Sequence, residues 1–115
     1  MEKEFVTYEQ ALALNELGFD DLCAGYYADN ILYVYEIENK NLYNGAIVCP
    51  LKQQVFRWFR EKYELIYFIG DDFGGWSYSV SKNSKIQGSI SNVYKTYEET
   101  ELGCINKLIE IVKNK

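Results

Sequence analysis

A chain of 115 residues holds roughly one domain's worth of sequence, so a single α+β domain spanning 1–115 is the expectation. Its 48% hydrophobic and 25% charged content excludes a disordered chain, and a net charge of −5 argues against broad nucleic-acid binding, which needs clustered Lys and Arg. Histidine is absent, which removes Ser-His-Asp and Cys-His catalysis and His-containing zinc sites.

The opening stretch, MEKEFVTYEQ, shows no basic region followed by an apolar run, so no secretory signal is expected. No stretch approaches the roughly 20 apolar residues of a membrane-spanning helix. Cys23, Cys49 and Cys104 are odd in number and widely spaced, with no disulfide framework to read. Reduced thiols and a cytoplasmic location follow as the expectation. Eleven Tyr, six Phe and two Trp supply bulky side chains to a small core.

Thr7-Tyr8-Glu9-Gln10 reads as a capping box that opens a helix over about Tyr8–Leu17. Ala11, Leu14 and Leu17 recur at helical spacing, and Gly18-Phe19 reads as a left-handed stop with a hydrophobic clasp. Two strands follow, Ala24–Tyr27 and Ile31–Ile37, joined at Asp29-Asn30 in a hairpin. In the second, Ile31, Tyr33, Tyr35 and Ile37 share one face.

The polar segment Glu38–Asn41 ends that strand, and Pro50 suits the first position of a second helix, where its missing N–H is harmless. In that helix Leu51, Val55, Phe59 and Tyr63 form an i, i+4 stripe, while Gln53, Arg57, Arg60 and Glu61 face solvent. A strand over Leu65–Ile69 leads into a turn at Gly70–Gly75. Trp76, Tyr78 and Val80 then alternate with Ser77, Ser79 and Ser81, the pattern of an antiparallel strand with one wet face. A turn at Lys82–Lys85 and a weaker strand over Ile86–Ser91 come next. The last helix opens at Thr96-Tyr97-Glu98-Glu99, and Leu102, Ile105, Leu108, Ile109 and Val112 form its apolar face.

The order is α-β-β-α-β-β(-β)-α, predicting an antiparallel sheet of four to five strands with three helices mainly on one face. Thr-Tyr-Glu occurs at both Thr7 and Thr96, a faint echo of duplication carried by residues that capping alone would select.

Val6–Leu14 with Leu17-Gly18-Phe19, Phe56–Tyr63, Tyr94–Glu99 and Lys107–Val112 together resemble short proteins encoded by phages and integrated elements of gut Bacteroides-type bacteria. The likeness covers the three helices, about half the chain. It implies an uncharacterised accessory protein, and no active site comes with it.

No Walker-type loop or GxGxxG occurs, and no cofactor or metal is expected. Cys104 reads as a buried structural thiol. Cys49, just before Pro50, would lie near a helix amino terminus, where a thiolate is stabilised, but with no base or neighbouring motif it is not expected to be reactive. Asp71-Asp72 in Asp71–Trp76 lacks the alternating ligands of a calcium loop and reads as a solvated turn. With Phe73 and Trp76, that loop is a candidate for binding a partner protein, as are Tyr33 and Tyr35 on the tyrosine-bearing strand. A free edge strand or the tyrosine face offers a route to a homodimer. Arg57 and Arg60 with Trp58 between them make the best nucleic-acid candidate, with stacking on Trp58 and phosphate contacts from the arginines. Glu61 interrupts it. Glu101 falls on the apolar side of the last helix but within its first two turns, where it is expected to lean out toward solvent or favour the helix amino end. A non-enzymatic protein-binding factor is the leading expectation, and a nucleic-acid module using the second helix is the alternative.

Overall fold

A computed structural model describes residues 4–21, 23–37, 46–72 and 74–114; Glu38–Asn41 and Phe73 lie outside the described residues. Contacts divide the chain into two compact units, Met1–Gln54 and Val55–Lys115.

In the first unit, α1 (Tyr8–Glu16) starts where the sequence says it should. The Gln10 backbone N–H donates to Thr7 Oγ1 at 3.1 Å, and Gln10 Oε1 accepts from the Thr7 N–H at 3.2 Å. The helix ends in a Schellman arrangement. Gly18 takes φ +95°, its N–H donates to the Asn15 carbonyl, and the Phe19 N–H reaches back to the Leu14 carbonyl at 3.0 Å. Leu14 and Phe19 are both buried.

Strands β1 (Cys23–Ala28) and β2 (Ile31–Ile37) form the expected hairpin. Asp29 and Asn30 both take positive φ, as a type I′ turn requires. A third strand, β3 (Ile47–Cys49), pairs antiparallel with the other edge of β1, giving the order β2-β1-β3. Tyr27 ties this sheet to the segment before α1. Its hydroxyl donates to the Val6 carbonyl at 3.2 Å, and its ring meets Tyr8 edge-on at 5.5 Å.

Helix α2 (Lys52–Tyr63) spans the division between the units. It begins two residues after Pro50, which is therefore not its first residue. Leu51 instead bridges Phe5, and the Pro50 carbonyl accepts from the Val6 N–H. Val55 and Phe59 are fully buried, whereas Arg57, Arg60 and Glu61 are exposed, as the stripe predicts.

The second unit is a meander of β4 (Ile66–Asp72), β5 (Gly75–Lys82) and β6 (Lys85–Tyr94). α3 (Tyr97–Lys113) packs across all three strands. Tyr67, Ile69, Trp76, Tyr78 and Val80 share the face toward α3, following the register Tyr67↔Val80 and Ile69↔Tyr78. Phe56 of α2 stacks on Tyr67 with ring centroids 3.8 Å apart. Gly103 lets α3 come close, because a Cβ there would collide with the Tyr94 hydroxyl. The Thr96 cap is half a capping box. Its Oγ1 accepts from the Glu99 N–H at 3.1 Å, but Glu99 Oε1 accepts from the Thr96 hydroxyl rather than the backbone.

The expected single sheet of four to five strands is therefore corrected to six strands in two three-stranded antiparallel sheets, in the order α-β-β-β-α-β-β-β-α. The missed strand is β3, whose three residues fall short of the four to eight that make a readable run. The sheets also differ in topology, with the first strand central in one and the second strand central in the other. That arrangement gives the Thr-Tyr-Glu echo no structural counterpart.

Candidate functional site

The hairpin β4–β5 decides which side chains face away from α3. With Asp72 paired to Gly75, the ladder runs Gly70↔Ser77, Phe68↔Ser79 and Ile66↔Ser81. Residues directly opposite on antiparallel strands share a face, so Ile66 and Phe68 stand beside the serines. Ser81 pairs onward with Ile86 and Ser79 with Ser89. Gln87 is the extra residue of a bulge between Val80 and Ser81, which turns Gly88 toward α3 and Ile86 outward.

This outer face consists of a central serine lane flanked by apolar edges. Ile66 is 55%, Phe68 67% and Ile86 64% exposed. The Phe68 ring leans along its strand over Gly70, so that a Cβ at Gly70 would lie 2.9 Å from the ring. Ser77 donates from Oγ to the Gly70 carbonyl at 3.3 Å, tying the lane to the edge strand. Among its described side chains the face carries no charge.

The residues predicted to bind partners fall in both units and are described unit by unit. Asp71 and Asp72 lie in β4 rather than in a loop, paired with Trp76 and Gly75. Asp71 is exposed, and the side chain of Asp72 lies outside the described residues. Phe73 lies outside the described residues. Trp76 is half-buried on the α3 side, where its ring meets Tyr97 edge-on at 5.4 Å. Tyr33 is 40% exposed on the edge strand β2 and stacks on Tyr26 at 5.2 Å. The side chain of Tyr35, two residues on, lies outside the described residues.

On α2, Arg57 and Arg60 are exposed, but Trp58 is buried, at 7%. Its ring packs edge-on against Phe59 and Tyr63, and Lys62 Nζ sits 5.2 Å from its centroid. The tryptophan is a packing residue and not a free platform for a base, so the patch keeps its charge and loses its stacking half.

The thiols are buried without exception. Burial pushes Cys23, Cys49 and Cys104 each up to about 12. Cys49 lies in β3 and its Sγ donates to the Val6 carbonyl, which makes it a protonated, enclosed thiol. Glu101, expected to lean toward solvent, is instead buried near the start of α3, because it lies on the helix's apolar side, and its carboxylate adds to the burial that raises the Tyr97 phenol. Among the described residues, no group of three or more Cys, Asp or Glu is placed to hold a metal ion, and no helix is long and apolar enough to cross a membrane.

Sequence reasoning missed Ile66, Phe68 and Ile86. Leu65–Ile69 is a continuous apolar run, which reads as buried on both faces. Counting the register back from the Asp72–Gly75 pair places Phe68 opposite Ser79, on the face already read as wet. No family model, no curated protein and no solved structure matches this chain.

Proposed function

We propose that this chain is a non-enzymatic protein-binding factor, and that its docking surface is the outer face of the β4-β5-β6 sheet. One observation carries the reading: three large apolar side chains, Ile66, Phe68 and Ile86, stand more than half exposed on a single face of one small sheet. Scattered exposed hydrophobics are ordinary, but a cluster rimmed by polar groups is the mark of an interaction surface. Fully covering each of the three would contribute about 1.5–3 kcal/mol, enough together to drive reversible binding. The serine hydroxyls between them offer hydrogen bonds along the same surface.

The resemblance to phage and integrated-element proteins supports an accessory role in that setting, with a cytoplasmic location and no cofactor required. The test is affinity capture from cells that encode the chain, comparing the native sequence with Phe68→Ser combined with Ile86→Ser. Both side chains are exposed, so the variant should fold. The reading predicts a captured protein that the double variant loses and that Arg57→Ala with Arg60→Ala retains. Retention by the double variant, or loss only with the arginine pair, would reject it and favour α2.

A further inference from the structure

We infer that the partner is taken by strand addition: an extended segment of another protein, with a basic residue near one end, pairs along the free edge of β4. The inference rests on the proposed docking face and says how a partner engages it. β4 stands at the edge of its sheet, in the order β4-β5-β6. An edge strand presents a row of main-chain N–H and C=O groups to whatever can pair with them, so the shape it selects is another extended strand.

The two edges of this sheet are guarded differently. β6 carries two register shifts against β5 and begins at Lys85, and bulges and lysines blunt an edge against pairing. β4 has neither. Its seven residues pair with β5 in unbroken register, it holds no Lys, Arg or Pro, and residues 66–70 are uncharged. None of residues 66–71 is buried. A strand added here lies about 4.8 Å from β4 and sets its alternate side chains beside Ile66 and Phe68, which extends the apolar edge of the outer face.

Charge sets the partner's chemistry. Asp71 is exposed and pairs with Trp76, on the face of β4 opposite to Ile66 and Phe68. The residue set against it on an added strand shares that face, where an opposite charge stabilises the pair and a like charge opposes it. A second copy of β4 brings no cation, and the chain's net charge of −5 works against self-association. A basic segment of another protein meets both conditions. Its spacing follows from the strand: the apolar residues opposite Ile66 and Phe68 are two positions apart, and the Lys or Arg opposite Asp71 lies three positions past the second.

Selection on the full chain from a library of random peptides of about twelve residues tests this, a length that exceeds β4 at about 3.3 Å per residue. Amide hydrogen exchange is then measured with the best peptide bound. The expected result is peptides that carry this spacing, read in either direction, and that slow exchange at alternate amides of β4. Asp71→Lys should weaken a lysine-bearing peptide at least about threefold, and the same peptide with glutamate in place of that lysine should regain the loss. Phe68→Lys, which puts a lysine on the edge at an exposed position, should weaken both. No selected peptide, or peptides that protect β2 or α2 and leave β4 unchanged, overturns the inference. A peptide that needs Phe68 yet leaves β4 exchange unchanged overturns strand addition alone and leaves the docking reading standing. Peptide binding and capture from cells that are both indifferent to Phe68→Ser with Ile86→Ser overturn the two together.

Discussion

Cys23, Cys49 and Cys104 show how burial governs chemistry at the level of single residues. Each thiol has an ordinary value of 9.0 and is pushed up to about 12, chiefly by loss of solvent. A raised value in the folded state means that the unfolded chain loses these protons first. The stabilising contribution is therefore complete below about pH 9 and is lost as the pH climbs toward 12. Tyr78, raised from 10.0 to about 12, acts in the same sense. Urea unfolding should show a midpoint that the thiols leave unchanged from pH 7 to 8 and that falls beyond pH 9. Cys104→Ala should make the fall shallower. A midpoint still level at pH 10.5 would contradict the enclosed-thiol account. Buriedness at these positions was legible for Cys104, which lies on an amphipathic helix. It was not legible for Cys49, whose enclosure depends on pairing with Gly25, 24 residues earlier in the chain.

At the scale of elements, local chemistry declared itself and long-range pairing did not. Caps at Thr7 and Thr96, the Gly18 stop and the Asp29-Asn30 turn all act within a few residues, and each fixes an element boundary that the sequence shows. Strand partners are set by contacts far along the chain, so two sheets could not be told from one. The β5–β6 turn allows a test of the local logic. Asn83 and Ser84 both take positive φ, 52° and 67°, the type I′ geometry in which Asn-Gly is the favoured pair. Ser84 bears a Cβ in a conformation that costs a non-glycine residue about 1–2 kcal/mol. Ser84→Gly should therefore stabilise the chain, by about 0.5–1 kcal/mol once the greater freedom of glycine in the unfolded state is offset. Denaturant unfolding that shows a loss of stability would contradict the type I′ reading of this turn.

For the whole molecule, the chain builds two units and leaves one sheet with a partly apolar outer face. The candidate site was half legible. The alternation around Ser77, Ser79 and Ser81 announced the wet face, whereas the apolar residues on it were hidden in a run that resembles a buried strand. The aromatic loop singled out by composition was the less informative feature, since Trp76 packs beside Tyr97. Likewise Trp58, which looks like a stacking platform in sequence, is committed to the α2 core. The measurement that reaches the central claim most directly is backbone amide NMR of the isotopically labelled chain, titrated with the protein it captures. Shifts centred on Ile66, Phe68, Ser79, Ser81 and Ile86 are the predicted result. Shifts centred on Arg57 and Arg60 of α2, or on Tyr33 of β2, with the outer face unmoved, would contradict it.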